Sequence, residues 1–347
     1  MSHTVVFAYP GDLELKTGGY AYDRRVIAGL KALGWTVELL PLGDGFPFPD
    51  ASAKAEAEQR LSTLADNALV LIDGLAFGVL DDWAAREADR LRIVALVHHP
   101  LALETGLDDE KAAGLRHSET RALTFARHVI VTSHVTAGEL VSSFGVPETG
   151  ITTALPGTDP ATPSHETRST PLILSVGTLV PRKGHDILLA ALDRIRDLDW
   201  TAEIVGSLTL DAKTAAALDQ QRKTLRLQDR VNLVGTCEDT RALMAGADIF
   251  ALASRYEGYG MVFAEALSQG LPIVACHAGA VPEVVPDDAG ILVPVDDVEA
   301  FAAALRLLLS DPAEHARFSA GSRRAGARLP GWDVTSGIIA ARLEALS

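Results

Sequence analysis

Cysteine is nearly absent from this sequence of 347 residues, which contains only Cys237 and Cys276. Neither residue has C-x-x-C spacing, so the sequence predicts no disulfide framework and no zinc site. Long apolar runs are also missing, since no window approaches the roughly 18 uncharged residues that a membrane-spanning helix needs. The first residues lack a basic leader and a small-residue cleavage site, which predicts a cytoplasmic protein without a signal peptide or transmembrane segment.

Positive charge is scarce as well, because 31 Lys and Arg residues stand against 46 Asp and Glu residues. The resulting formal charge of -15 would repel nucleic-acid phosphates and anionic lipid headgroups, so we expect no nucleic-acid partner. What the chain does have is a hydrophobic fraction of 48% and a length that exceeds one ordinary core. These two features predict a globular protein of two domains.

Short apolar runs rich in Val, Ile and Leu alternate with helical stretches, which is typical of parallel strands buried on both faces. The predicted strands of the first half are residues 4–9, 36–42, 68–73, 92–99, 128–133 and 151–156. Those of the second half are residues 172–177, 201–206, 230–235, 248–254, 272–276 and 290–294. Six strands in each half predict an α/β fold of two Rossmann-like, doubly wound domains.

The composition also predicts where the domains meet. Residues 156–171 are dense in Pro, Thr and Ser, which is typical of a linker and a hinge. We therefore expect a first domain over residues 1–160 and a second over 171–325. Residues 298–346 have helical patterns and no further strand, and a closing helix within 326–347 is expected to cross back to the first domain.

Two glycine-containing stretches follow predicted strands, at the edge of the sheet where ligands bind in such folds. In KTGGYAYD, the pair Gly18 and Gly19 would let the backbone approach a phosphate where a helix begins. In VGTLVPRKG, Arg182 can donate a fork of hydrogen bonds to a diphosphate and Lys183 a compact charge. The alternatives are a flexible loop for the first stretch and a solvated basic turn for the second.

The stretch EGYGMVFAE places two carboxylates around two glycines. Gly258 and Gly260 predict a loop that contains Glu257, and Glu265 is expected one turn inside a helix that starts near Met261. The helix amides could hold a phosphate or sugar oxygen, while the carboxylates accept hydrogen bonds from hydroxyl groups. The alternatives are a helix-dipole interaction for Glu265 and a surface loop acid for Glu257.

A histidine pair, His98 and His99, ends the predicted fourth strand. An imidazole at this edge can donate to a sugar oxygen or move a proton, although a hydrogen bond to a neighbouring loop is an equal alternative. No Asp or Cys follows at ligand spacing, so the sequence does not predict a metal site here. The small-residue loop HAGAVPEVV, residues 277–285, predicts a turn.

Together these stretches resemble the retaining glycosyltransferases of family 4, which have the GT-B architecture of two Rossmann-like domains facing across a cleft. The similarity covers residues 172–295 and includes G-T-L-x-P-R-K-G, the Glu-x7-Glu element of Glu257 and Glu265, E-A-L-S-Q-G-L-P-I-V-A and G-A-V-P-E. It is weaker in the first half, where Gly18-Gly19, His98 and the P-G-T-D stretch at 156–159 match.

The resemblance implies a nucleotide-diphosphate sugar donor, UDP- or GDP-linked, held mainly by the second domain, with an unidentified acceptor on the first. It implies that transfer keeps the anomeric configuration and needs neither a metal nor a cofactor. The implied catalytic residues are His98, which would face the sugar near the reacting carbon, with Arg182, Lys183 and Glu257. The implied donor-binding residues are Gly18, Gly19, Arg182, Lys183, Glu257, Gly258, Tyr259, Gly260, Met261, Val262 and Glu265.

Other functions are compatible with parts of this pattern. A nucleotide-sugar epimerase has a similar two-domain fold, but the stretches at 177–184 and 257–265 argue against it. A non-catalytic nucleotide-sugar-binding protein would not need all of His98, Arg182, Lys183 and both glutamates. A periplasmic binding protein would need an export signal. The acidity of the chain favours an acceptor that is soluble or only transiently associated with a membrane.

Overall fold

The computed structural model describes residues 3–161 and 169–347, which form two compact units. The first domain contains Met1–Gly157 together with Pro330–Ser347, and the second domain contains Thr158–Leu329. These limits differ by a few residues from the predicted ranges 1–160 and 171–325. The predicted linker 156–171 spans the boundary, and its residues 162–168 lie outside the described residues.

The first domain is built on a parallel sheet of six described strands in the order β2-β1-β3-β4-β5-β6. The strands are β1 (Thr4–Tyr9), β2 (Thr36–Pro41), β3 (Leu69–Asp73), β4 (Arg92–Val97), β5 (His128–Val131) and β6 (Ile151–Thr153). The helices between them are α1 (Gly18–Ala32), α2 (Ala51–Ser62), α3 (Gly74–Phe77), α4 (Asp81–Glu87), α5 (Asp109–Leu123) and α6 (His134–Phe144). Short 3-10 helices span Leu101–Leu103 and Glu148–Gly150.

The second domain repeats this plan with the strand order β12-β11-β10-β7-β8-β9. Its strands are β7 (Leu172–Val176), β8 (Thr201–Val205), β9 (Val231–Gly235), β10 (Ile249–Leu252), β11 (Ile273–Cys276) and β12 (Gly290–Val293). Its helices are α7 (His185–Arg194), α8 (Ala212–Thr224), α9 (Thr240–Ala245), α10 (Met261–Ser268), α11 (Val281–Val284), α12 (Val298–Ser310) and α13 (Pro312–Gly326), with a 3-10 helix at Pro181–Lys183. Helix α14 (Trp332–Ala345) follows and belongs to the first domain.

Helix α14 is packed tightly on α1 within the first domain. A Cβ atom added at Gly29 of α1 would overlap the Ser336 side chain, so glycine permits the close approach of the two helices. The Trp332 ring meets the Tyr22 ring edge-on at 5.7 Å, and the Thr335 hydroxyl donates to the Leu155 carbonyl at 2.7 Å. The segment predicted to return to the first domain therefore contributes to its core.

Each sheet is buried because its strands carry apolar side chains on both faces, as parallel sheets covered by helices require. The side chains of Phe7, Phe77 and Trp83 are fully buried in the first domain, and those of Trp200 and Phe301 are fully buried in the second. All twelve predicted strands are confirmed, and most end one or two residues earlier than predicted. Among the described residues, no helix combines the length and the hydropathy needed to cross a bilayer.

The strand orders place one topological switch point in each domain. In the first sheet it lies between β1 and β3, and in the second between β7 and β10, because the chain changes direction there. Ligands of open α/β sheets bind beyond the carboxyl ends of the strands at such points. The loops after these four strands are therefore where a site is expected.

Candidate functional site

The two predicted cations lie directly after β7. Arg182 and Lys183 belong to the 3-10 turn Pro181–Lys183, and Gly184 follows in the left-handed conformation, with φ 63°. A side chain at Gly184 would be strained at this φ and would also overlap the carbonyl oxygen of Ala253. The glycine thus allows the cationic turn to lie against the end of β10, the strand across the switch point.

The Glu257 carboxylate contacts both cations. Its Oε1 accepts from Lys183 Nζ at 2.7 Å and from the Ser254 hydroxyl at 2.6 Å, and its Oε2 lies 3.5 Å from the Arg182 guanidinium. The Arg182 guanidinium also donates to the Tyr256 carbonyl at 2.9 Å. Residues from the ends of β7 and β10 therefore form one cluster, which we call the Arg182–Lys183–Glu257 cluster.

The cluster is nearly buried and carries one net positive charge, since two cations face one carboxylate. Glu257 is 4% exposed. Burial alone would raise the pKa of Glu257, but the charges of Lys183 and Arg182 lower it below its ordinary value. A positive group shielded from water, in a chain with a formal charge of -15, suits a small anion with more than one negative charge.

Arg255 holds the cationic turn in place, a role that sequence reasoning missed. Its backbone N–H donates to the Arg182 carbonyl at 2.8 Å. Its guanidinium donates to both oxygens of Asp186, at 3.0 and 2.7 Å, to Asp296 at 2.8 Å and to the Pro181 carbonyl. The pKa of Arg255 is raised mainly by the hydrogen bonds to Asp186. The sequence placed Arg255 beside Glu257 but gave no signal of these partners.

The loop predicted as a turn at 277–285 positions the backbone of Glu257. Ala280 N–H donates to the Glu257 carbonyl at 2.9 Å, just before α11. Gly279 has φ 54°, and a Cβ atom there would overlap that same carbonyl. The glycine is therefore required by both its conformation and its close contact with Glu257.

The predicted helix start after Glu257 is confirmed, since α10 begins at Met261 with Gly260 as its N-cap at φ 91°. Tyr259 is buried, and burial together with the Glu283 carboxylate raises the pKa of its phenol to about 12. Gly258 precedes Tyr259, and Val262 follows Met261 in the first turn of α10. This segment brings the backbone amides of a helix N-terminus next to the Arg182–Lys183–Glu257 cluster in sequence.

Glu265 lies one turn inside α10, as predicted, and is partly buried. Burial raises the pKa of its carboxyl to about 7, opposed by Arg241 and supported by Asp159. Arg241 forms a long ion pair with Asp159 at 3.8 Å. Glu265 is therefore a carboxyl that titrates near neutral pH.

Side chains of Asp or Ser cap most of the longer helices, namely α2, α5, α6, α8, α9, α12 and α13. The described helices that follow β1, β7 and β10, namely α1, α7 and α10, have no side-chain cap at their first turn, a property they share with α4, α11 and α14. The strands β1, β7 and β10 are three of the four that flank the two switch points. The first N–H groups of these helices therefore have no side-chain acceptor and can face an anionic ligand, whereas the N–H groups of Ile187 and Phe263 already donate to the Gly184 and Gly260 carbonyls.

In the first domain, the predicted glycine pair begins α1, which starts at Gly18. A Cβ atom at Gly19 would lie 3.5 Å from the imidazole of His98, so the glycine pair and the predicted histidine lie together. His98 follows the end of β4 and is partly exposed. His99 instead pairs with Glu104, with 3.3 Å between Nε2 and Oε2.

Two buried carboxyls that the sequence did not suggest lie beside His98. Asp23 Oδ1 is 3.2 Å from His98 Nε2, and one oxygen each of Asp23 and Asp73 and one nitrogen of His98 lie within 4.8 Å of one another. Such a group has the donor types of a metal site, which spacing alone had argued against. Asp23, Asp73 and His98 are 50 and 25 positions apart, so only the fold brings them together.

Comparison with known proteins identifies the domain that carries the cluster. Residues 162–325 match the model described as Glycosyl transferases group 1. The chain contains a group 1 glycosyltransferase domain. The matched residues carry the Arg182–Lys183–Glu257 cluster and α10, so the cluster belongs to the glycosyltransferase domain.

Curated relatives extend the similarity into the first domain. A D-inositol 3-phosphate glycosyltransferase from Xylanimonas cellulosilytica is 30% identical over 277 residues, which are 72% of this chain and 66% of that protein. A GDP-mannose-dependent alpha-(1-6)-phosphatidylinositol monomannoside mannosyltransferase from Mycolicibacterium smegmatis is 31% identical over 263 residues, 69% of this chain and 66% of that one. The chain thus spans slightly less than two thirds of the length of these relatives.

Solved structures share the complete fold. The sucrose-phosphate synthase of Thermosynechococcus elongatus superposes with a TM-score of 0.83 at 21% identity, covering 99% of this chain and 100% of that one. Anabaena HepE in complex with UDP-glucose superposes with a TM-score of 0.76 at 20% identity, covering 98% and 99% of the chains. The fold of this chain is therefore the GT-B fold.

Proposed function

We propose that this protein transfers a sugar from a nucleotide-diphosphate sugar to an acceptor, and the observation that carries the proposal is the Arg182–Lys183–Glu257 cluster. A fork-shaped guanidinium and an ammonium, both less than one fifth exposed, match the charge and the oxygen geometry of a diphosphate. They would stabilise the negative charge that develops on the leaving group, which is often the largest contribution to catalysis.

Glu257 fits the sugar side of the donor in this proposal. One of its oxygens already accepts from Lys183 and Ser254, so the second oxygen has lone pairs that sugar hydroxyls can use. Because Lys183 contacts the carboxylate, the same lysine would touch both the diphosphate and the residue that orients the sugar. The donor-binding roles of Gly18, Gly19 and residues 258–262 are proposed on the same basis, from helix N-terminal amides.

We further propose retention of the anomeric configuration, as in glycosyltransferase family 4, without a metal ion. The two cations would take the place that a divalent ion has in neutralising a diphosphate. The leaving phosphate would accept the acceptor's proton on the face of the sugar where the new bond forms.

Both UDP- and GDP-linked sugars remain candidate donors. A relative is named as GDP-mannose-dependent, and a structural neighbour binds UDP-glucose. The acceptor remains unidentified, because the relatives are named for different ones.

A thermal-shift screen of UDP- and GDP-sugars in excess chelator tests the proposal. A true donor at about 100 times its Kd should raise the melting temperature by about 5 °C or more, since it binds only the folded state. The bound compound is then incubated with candidate acceptors and its hydrolysis and transfer are measured. Stabilisation only by free nucleotides, or by none of these compounds, would remove support for a transferase.

Glu265 predicts the pH dependence of donor binding. If its carboxylate accepts hydrogen bonds from the ribose hydroxyls, binding requires the ionised form. The pKa of about 7 then predicts that affinity for the nucleotide sugar rises by about 10-fold between pH 6 and pH 8. Isothermal titration across this range should show the rise in wild type and a flat profile in Glu265→Gln. A wild-type affinity that falls with pH would contradict the assignment.

A further inference from the structure

Three ionisable groups meet at the switch point of the first sheet, and the proposed function does not explain two of them. Asp23 is on α1, Asp73 ends β3, and His98 follows β4. Asp23 is fully buried and Asp73 is 3% exposed. Burying two carboxylates side by side is strongly unfavourable unless their charge is compensated.

The backbone fixes the position of Asp73 in two ways. Its Oδ1 accepts from Leu75 N–H at 2.7 Å and so caps α3. A Cβ atom at Gly74 would lie 2.9 Å from the Leu96 carbonyl, so glycine lets the end of β3 press against β4 next to His98. The carboxyl of Asp73 is therefore held beside the imidazole by the fold itself.

The hydrogen bonds indicate how the charge is compensated. Asp23 Oδ1 faces His98 Nε2, whereas Asp23 Oδ2 is buried and has no hydrogen-bond donor among the described residues. One oxygen of Asp73 lies within 4.8 Å of one oxygen of Asp23, so a proton shared between the two carboxyls would supply that missing donor. With the imidazole protonated, one shared proton and two carboxyls give a neutral group.

We propose that Asp23 and Asp73, joined by one shared proton, are positioning residues for His98 and hold its ring as an imidazolium ion. This inference rests on the proposed function only for the role of the His98 imidazole in sugar transfer. With Nε2 committed to Asp23, Nδ1 is the nitrogen that can donate to an oxygen of the sugar or of the leaving diphosphate. The edge-on Tyr22 ring, 5.4 Å away, restricts the imidazole further.

The directions of the pKa shifts agree with this arrangement. Burial alone would lower the pKa of His98, but the Asp23 and Asp73 carboxylates raise it to about 8. Burial, together with the charge of Asp23, raises the pKa of Asp73. The phenols of Tyr20 and Tyr22 also face the carboxyls, and burial raises the pKa of each, so both stay neutral.

The sign of the stability change follows from these directions. Both groups bind their protons more tightly in the folded chain than in the unfolded chain. Their contribution to stability is therefore present at low pH and is lost as pH rises, for His98 between 6.5 and about 8.

Two isosteric variants should give opposite results. The carboxamide introduced by Asp73→Asn imitates the protonated acid, because its NH2 group can donate to Asp23 Oδ2 while its carbonyl oxygen still accepts from Leu75. The His98 pKa should therefore stay above 6.5 in this variant. In Asp23→Asn the ion partner is lost, the His98 pKa should fall below 6.5, and kcat should fall about 100-fold with donor Kd nearly unchanged.

The readout that does not depend on transfer is an NMR titration of histidine-labelled protein without substrates, with His98 assigned through His98→Gln. The matched control is Asp44→Asn, which removes one exposed carboxylate that acts on Tyr20 from a distance and should leave the His98 titration unchanged. If no nucleotide sugar is turned over, the proposed function fails while this titration still tests the inference.

Three outcomes would overturn the inference. The first is an unchanged His98 pKa in Asp23→Asn. The second is an equal fall in both variants, which would mean that Asp73 acts only through its charge. The third is stabilisation of wild type, but not of Asp73→Asn, by added Mn2+ or Zn2+, which would mean that the carboxyls hold a cation in place of the proton.

Discussion

Lys183→Ala is expected to reduce kcat/KM by about 100- to 1,000-fold, the loss typical of removing one preorganised group that stabilises transition-state charge. The same change leaves the buried Glu257 carboxylate with Ser254 and a distant Arg182 as partners, 2.6 and 3.5 Å away. Unfolding free energy should therefore fall by about 3 kcal/mol, as for a truncated buried ion pair. Steady-state kinetics and chemical denaturation measure the two effects.

The double variant Lys183→Ala with Glu257→Ala separates these effects. Removing both partners leaves Arg182 as the one charge of the cluster, but its guanidinium is 18% exposed and still donates to the Tyr256 carbonyl, so stability should recover in part while transfer stays lost. The control is Lys223→Ala, since Lys223 is 53% exposed and pairs with Asp219 at the surface. It should change stability by less than about 1 kcal/mol and activity hardly at all. Near-normal turnover in Lys183→Ala would show that the lysine has no part in transfer.

Glu257→Ala should separate binding of the nucleotide from transfer of the sugar. Removal of the carboxylate raises the net charge of the cluster by one unit, so UDP or GDP should bind at least about 3-fold more tightly. The sugar loses its orienting acceptor, so kcat should fall about 100-fold or more. Calorimetry with the nucleoside diphosphate that stabilises wild type, together with kinetics, measures both.

The control for this variant is Glu299→Ala on α12, because Glu299 is 73% exposed and pairs with the surface residue Arg194. It removes the same charge from the same domain without touching the cluster, and both parameters should stay within about 2-fold of wild type. Weaker nucleoside diphosphate binding in Glu257→Ala would indicate that Glu257 holds the cations in position, and the assignment to the sugar would be lost.

The sequence predicted those features that depend on local pattern. Buried apolar runs specified the twelve strands, and the glycines at 258 and 260 specified the start of α10 at Met261. Arg182 and Lys183 were identified because two adjacent cations after a buried strand are unusual in an acidic chain. The helical pattern of residues 298–346 also predicted helices and no further strand after β12, and the structure has α12, α13 and α14 there.

The rest depended on contacts between distant residues, which one sequence does not reveal. The sequence assigned Glu257 and the cations to different parts of a ligand, whereas the structure shows them in contact. Arg255 received no role from the sequence, because its partners Asp186 and Asp296 lie 69 and 41 positions away along the chain. Asp23 and Asp73 reach His98 only through the order of the strands.

The packing of α14 on α1 also affects when the first domain can fold during translation. The ring of Tyr22 lies between His98 and Trp332, at 5.4 and 5.7 Å. A nascent chain therefore cannot complete the surroundings of His98 until residues 330–347 have left the ribosome. Although domains usually fold in the order of translation, the first domain of this chain can be finished only after the second has been made.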